Sequence, residues 1–277
     1  MIYKYIRNSF IASLCCFPLI FCTPLAHAQG SFARADYVAL TKLSTTAPLV
    51  ARVRVKDSIP LPAERAPGIP PDKVRLYIEA EVISLIRGRS GIGESIRYLV
   101  DVPRSDRGKA PKYKKREFLI FAKPVRGRPG EIQLVGKNAH MAWTPDTEQR
   151  TKNILREIVS PDAPPDITGI REALHVPGNL QGEGETQIFL KTESGAPASI
   201  TILRRPGIVP QWAVSLTEIL DESARIPERN TLLWYKLACF LPEKLPSESL
   251  ISDNARANAL ARTDYQFVRR QLGPCGS

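Results

Sequence analysis

The densest chemistry in this sequence is cationic. Arg104, Arg107, Lys109, Lys112, Lys114, Lys115 and Arg116 fall within residues 104–116, with Tyr113 interleaved and Asp106 the one opposing carboxylate. Such a run has a positive field that attracts polyanions, while its plain reading is a solvated loop kept soluble by charge. Pro103, Gly108 and Pro111 mark it as a connection between elements.

Catalytic patterns are sparse by comparison. No Gly-x-Ser-x-Gly turn occurs, and the histidines beyond the first thirty residues, His140 and His175, lie in no zinc-binding spacing. Glu183 and Glu185 sit among glycines, and Glu218, Asp221 and Glu222 form a second acidic group. A metal or general-base role would need these carboxylates held together with further ligands; a polar strand entry or helix surface is the simpler reading. Trp212, Trp234 and Tyr235 fit core packing. No metal site and no cofactor is expected.

Residues 1–28 read as a secretory leader. Lys4 and Arg7 precede an apolar stretch broken by Pro18 and Pro24, and Ala26 and Ala28 supply the small residues before a cleavage point after Ala28. The prolines and the length of the stretch argue against a membrane span. Cleavage gives a mature chain that begins at Gln29, is periplasmic or secreted, and carries no transmembrane anchor. It removes Cys15, Cys16 and Cys22 and leaves Cys239 and Cys275, which in an oxidising compartment predict one disulfide. The chain is strongly basic, with net charge +11 over its full length.

The elements that must position these groups follow from periodicity. A short helix is expected over residues 32–45, then a strand at 49–55. The next strand, 74–86, puts Val74, Leu76, Ile78, Ala80 and Val82 on one face and Arg75, Tyr77, Glu79 and Glu81 on the other. Further strands are expected at 95–102, 118–122 and 132–135, with a proline-rich loop at 59–72. Thr144, Pro145 and Asp146 open a helix that buries Ile154, Leu155 and Ile158. It stops before residues 160–166, where three prolines mark a linker between an N-terminal domain (29–159) and a C-terminal one (167–277). The second domain is expected to hold a helix at 167–174, strands at 186–192, 198–204 and 211–216, a helix at 231–240 capped by Asn230, and a final helix from Asp253 or Asn254 to Leu272.

Residues 50–55 (VARVRV), 81–88 (EVISLIRG), 96–100 (IRYLV) and 118–122 (FLIFA) resemble, in order and pattern, the OB-folds of the netrin and tissue-inhibitor-of-metalloproteinases group. The resemblance covers residues 47–135 and implies a five-stranded barrel. Some members of that group inhibit metalloproteases through an N-terminal cysteine. Here Gln29 begins the mature chain and the barrel region has no cysteine, so the resemblance brings no inhibitory mechanism.

The sequence thus reads as α+β: an OB-like five-stranded β-barrel, or an antiparallel sheet with flanking helices, followed by a small α+β domain. The expected function is that of an exported, non-enzymatic binding module of the envelope, holding an anionic glycan, lipid headgroup or envelope protein through the basic loop. Nucleic acid is disfavoured for an exported chain. The alternatives are an enzyme with a carboxylate-based site in the second domain and a structural or assembly protein of the envelope. A pocket joining Glu183, Glu185 and His175 would favour the enzyme.

Overall fold

The computed structural model describes residues 36–88, 92–217 and 224–276. The leader, Phe32 and Ala35 of the first expected helix, and the acidic group Glu218, Asp221 and Glu222 lie outside these.

Strict alternation builds the first sheet. In β2 (Lys73–Arg87), Val74, Leu76, Ile78 and Ala80 are buried while the residues between them reach solvent in part. The strand pairs with β1 (Leu49–Pro60) on one side and β3 (Ser95–Pro103) on the other. β1 also pairs with β4 (Glu117–Pro124), and β4 with β5 (Ile132–Leu134) and β6 (His140–Ala142). The order is β3-β2-β1-β4-β5, and a parallel bridge from Arg97 to Glu131 brings β5 back to β3. The sheet is thereby nearly closed into an OB-like barrel. β1 runs five residues beyond its expected end, to Pro60, because a bulge between Val55 and Asp57 lets it keep pairing with β2.

β4 shows no alternation at all: Phe118, Leu119, Ile120, Phe121 and Ala122 are all buried. Phe118, Ile120 and Ala122 belong to the barrel interior, whereas Leu119 and Phe121, with Val50 of β1, join a second apolar cluster outside it. That cluster is filled by α1 (Tyr37–Thr46), through Leu40 and Leu43, and by α2 (Pro145–Val159), through Ile154 and Leu155. Thr144 caps α2, its hydroxyl accepting from the Thr147 amide at 3.1 Å.

The same cluster contains one face of a second antiparallel sheet, ordered β10-β9-β8-β7. Its strands are β7 (Ile167–Pro177), β8 (Gly184–Thr192), β9 (Ser199–Arg204) and β10 (Gln211–Ser215). Two helices, α3 (Leu232–Phe240) and α4 (Ala255–Leu272), complete the layer. Residues 160–166 join the two sheets and are fastened down: Lys236 of α3 donates to the Pro164 carbonyl and lies 2.9 Å from Asp166. The Glu157 carboxylate of α2 accepts from the Leu232 amide at the start of α3, at 3.0 Å. Residues from Arg34 onward form one compact unit.

Two expectations are corrected. Residues 167–174 form a strand, not a helix. Bulges at Ile167/Gly169 and Ile170/Glu172 break the period of two that would have revealed it, and pairing with β8 along its length decides the conformation. The cap of α3 is Thr231, whose hydroxyl accepts from the Trp234 amide at 3.3 Å, while Asn230 takes a left-handed turn conformation at φ 63°.

The disulfide joins Cys239, late in α3, to Cys275, beyond α4. Trp234 Nε1 donates to the Leu272 carbonyl at 2.8 Å, and Gly276 lies beside Asp36 and Val38 at the foot of α1. Cys239 and Cys275 are 36 residues apart in sequence. Closing a loop of that length is worth about 2–4 kcal/mol by restricting the unfolded chain. The double variant Cys239→Ser, Cys275→Ser should lose stability of that order in urea unfolding, and an unchanged midpoint would contradict the assignment.

Candidate functional site

Residues 104–116 connect β3 to β4 at the end of the barrel where β1 also finishes, and both ends of the loop are hydrogen-bonded to the barrel. The Arg104 amide donates to the Asp72 carbonyl at 2.8 Å. At the other end the Lys115 amide donates to the Val55 carbonyl at 2.8 Å, and the Val55 amide to the Arg116 carbonyl at 2.9 Å. Gly108 supplies the left-handed position, φ 71°, that a tight turn requires, and the loop crosses itself through Ser105 and Lys109.

The side chains divide into two groups. Tyr113 turns inward, its ring 4.9 Å from Phe118 and 5.6 Å from His140. The guanidinium of Arg116 lies over the same pair of rings, 5.6 Å from Tyr113 and 5.9 Å from Phe118, and Arg104 donates to the Gly108 carbonyl. Arg107, Lys109, Lys112, Lys114 and Lys115 point to solvent. Among the described residues none of these five forms an ion pair. Nearby arginines on the barrel wall are neutralised: Arg52 and Arg54 share Glu117 at 2.6 and 2.7 Å, and Arg75 grips Asp101 through two hydrogen bonds. Burial alone would raise Glu117, but hydrogen bonds from Arg54 and Arg52 hold it below the usual carboxylate range. Arg75 does the same for Asp101. Arg52 also stacks on Trp143, 3.6 Å from the ring centroid.

Under the loop lies the seam where the barrel fails to close by hydrogen bonds. Tyr98 of β3 and Phe118 of β4 face each other across it, and His140 of β6 fills the gap, stacked on Phe118 at 3.9 Å and 5.7 Å from Tyr98. The His140 Nε2 and Tyr98 hydroxyl are inaccessible and find no hydrogen-bond partner among the described residues. Burial, with Arg116 nearby, pushes the His140 imidazole down to about 3, so it stays neutral. His140 is thus a packed residue of a short strand.

The second sheet holds a different polar cluster. Thr186 donates to Asp264 of α4 at 2.5 Å, so its oxygen is left to accept from His175 Nδ1 at 2.8 Å. Arg204 donates to the other oxygen of Asp264 at 2.7 Å. His175 and Asp264 are buried, and desolvation lowers the His175 pKa, against the pull of Asp264. The hydroxyl sits between imidazole and carboxylate, the reverse of a nucleophilic triad, and the cluster serves to pin α4 to β7, β8 and β9. Glu185 projects from the opposite face of the sheet, paired in register with Val176, and Glu183 folds back to accept from the Asn179 and Leu180 amides at 3.1 and 3.2 Å. The trio of Glu183, Glu185 and His175 is therefore not brought together. Among the described residues no group of three metal-ligating side chains occurs, and no helix is long and apolar enough to cross a membrane.

Sequence reasoning located the basic loop and missed the Thr186–Asp264–Arg204 cluster. Its members lie 60 and 78 residues apart, and each reads locally as an ordinary strand or helix position.

Barrel, loop and helical layer together define an α+β protein carrying an OB-like domain with a cationic loop at one end. No protein-family model matches the chain, and no curated protein matches it either.

Two measurements check the electrostatics. Asp264→Ala leaves Arg204 and Thr186 without their buried partner and should cost about 3–5 kcal/mol in chemical unfolding. For His140 the unfolded chain binds a proton below pH 6.5, whereas the folded state does not until about pH 3. Stability is therefore lost as pH falls through that window, at about 1.4 kcal/mol per unit. His140→Phe should keep the ring stack and remove this slope. Between pH 7 and 5 the gap between variant and wild type should move by about 2 kcal/mol in the variant's favour; parallel profiles would refute the assignment.

Proposed function

We propose that this protein is an exported, non-enzymatic binding module of the cell envelope. Its 104–116 loop holds a phosphate- or carboxylate-bearing polymer or headgroup. The observation that carries this reading is the set of five solvent-facing cations, Arg107, Lys109, Lys112, Lys114 and Lys115, which form no ion pair among the described residues and stand on a backbone hydrogen-bonded to the barrel at both ends. Unpaired charge on an anchored loop attracts an anion without first breaking an ion pair, and little ordering entropy remains to be lost on binding. Tyr113 and Arg116 stiffen the loop from beneath by packing on Phe118. In OB-folds the loops between strands commonly carry the ligand surface. The export part of the proposal rests on the leader pattern at residues 1–28. The kinship of residues 47–135 with the netrin group is part of the same proposal and supplies no inhibitory role.

The enzyme alternative would be favoured by Glu183, Glu185 and His175 sharing a pocket, but Glu185 and His175 project from opposite faces of the sheet, and the carboxylate that His175 does approach, Asp264, is buried with it and bonded to Thr186 and Arg204. An assembly role is compatible with the same loop meeting an acidic protein surface, and the choice of probe separates the two.

The test uses heparin and phosphatidylglycerol vesicles as anionic probes, with dextran and phosphatidylcholine vesicles as neutral controls. Binding should weaken steeply as salt rises, since exposed charges are screened beyond roughly 8 Å at physiological ionic strength. Changing Arg107, Lys109, Lys112 and Lys114 together to Gln removes contacts worth roughly 0.5 kcal/mol each, so affinity should drop at least about tenfold with thermal stability nearly unchanged. The charge-matched set Lys42, Lys191, Lys244 and Arg256, also exposed, serves as control. Salt-insensitive binding, or an equal loss in the control set, would overturn the proposal.

A further inference from the structure

A second concave feature lies far from the basic loop in sequence, on the face of the second sheet turned away from α3 and α4. The β7–β8 and β9–β10 hairpins turn at the same end of that sheet, because Gly184 pairs with both Pro177 and Arg204. Between them is an open cleft of about 480 Å³, within the range of small-ligand sites. Leu174, Val176 and Leu203 supply its apolar surface, with Glu185 directly between Val176 and Leu203 in the strand register and Gln187 beside Leu174. The exposure of this end is unusual for a folded domain: Val176 is 54 % exposed, and on the hairpin tips Leu180, Ile208 and Val209 are 64, 58 and 72 % exposed.

The charges around the floor are specific. Glu183 is committed to the backbone of its own turn, a fold-back that Gly178 permits, since a Cβ there would stand 2.4 Å from Glu183 Cγ. Arg204 is committed to Asp264. This leaves one anion and one cation lining the cleft: Glu185, which accepts from the Gln187 amide at 2.8 Å, and Arg205. Neither forms an ion pair among the described residues, so each retains its full capacity for a charged partner.

From this arrangement we infer that the cleft binds a short peptide with aliphatic side chains and free termini. Its side chains lie on Leu174, Val176 and Leu203, its carboxylate meets Arg205, and its ammonium meets Glu185. Other ligand classes fit less well. A polyanion would meet the Glu185 carboxylate, and a fatty acid has no use for that carboxylate standing between Val176 and Leu203. A sugar would find no aromatic ring among the lining residues. The inference is independent of the role given to the 104–116 loop.

Isothermal titration of the whole protein with trileucine, and amide-resolved NMR to locate it, test the site. Trileucine should perturb the cleft residues. N-acetyl-trileucine amide, triglycine and octanoate should each bind at least about tenfold more weakly, having lost the charges, the side chains or the ammonium. Arg205→Glu and Leu203→Thr, which puts no charge opposite Glu185 and keeps a strand-forming residue, should each raise the trileucine Kd at least about tenfold while the thermal midpoint stays put. The four-Gln loop variant should bind trileucine like wild type, which separates failure here from failure of the polymer-binding proposal. The proposal is overturned by perturbations elsewhere, by octanoate binding as well as trileucine, or by insensitivity to both substitutions. A self-association that trileucine does not compete with would overturn it too, since the cleft would then be a contact between copies.

Discussion

The structure depends on β4, together with the first residues of β1, being buried on both faces. β1 and β4 present Val53, Phe118 and Ile120 to the barrel interior and Val50, Leu119 and Phe121 to the helical layer. A strand so enclosed has no solvent face, and every backbone group in it must be paired within the fold. That demand is met by β2 on one side of β1 and by β5 and β6 along β4. Because the outer cluster also takes in Ile188, Ile200 and Trp212 of the second sheet, the two sheets cannot separate without exposing a common apolar surface.

Charge is arranged around this frame by a simple division. Three arginines that project from strands of the barrel wall are matched across the sheet, Arg52 and Arg54 by Glu117 and Arg75 by Asp101. Such pairs sit opposite one another and suppress repulsion between neighbouring strands. Among the described residues, Arg107, Lys109, Lys112, Lys114 and Lys115 of the 104–116 loop form no such pair, although the loop's backbone is hydrogen-bonded to the barrel at both ends.

How much of this could be read from the sequence depended on where the physics was local. The alternation in β2 and β3 is visible because one face of each is apolar and the other reaches solvent. The cap at Thr144 and the start of the last helix, legible to within Asp253 or Asn254, are set by short-range hydrogen bonds. β7 was not, because its two bulges shift the inward positions out of register with any simple period. The role of Asp264 was invisible for a different reason. A lone acid on a helix face looks solvated until the fold supplies Thr186 and Arg204 from distant strands. The loop's cations were found at once, yet the inward turn of Tyr113 and its packing on His140 required the barrel seam to be seen.

The meeting of Gly276 with Asp36 and Val38 has a consequence for the order in which the fold can be completed. α1 is the first described element of the chain, but Tyr37 packs edge-on against Trp234, which in turn holds the Leu272 carbonyl at the end of α4. The earliest helix thus rests on α3, which is itself tied to the end of the last. Such contacts span nearly the whole described chain and close the longest loops, so they are the slowest kind to form. A chain arrested before residue 232 could assemble the six-stranded sheet from its own hairpins, yet α1 would have no α3 to rest on. In kinetic terms, the barrel is the part that can fold early, and the helical layer is a seal that sets only when the polypeptide is finished.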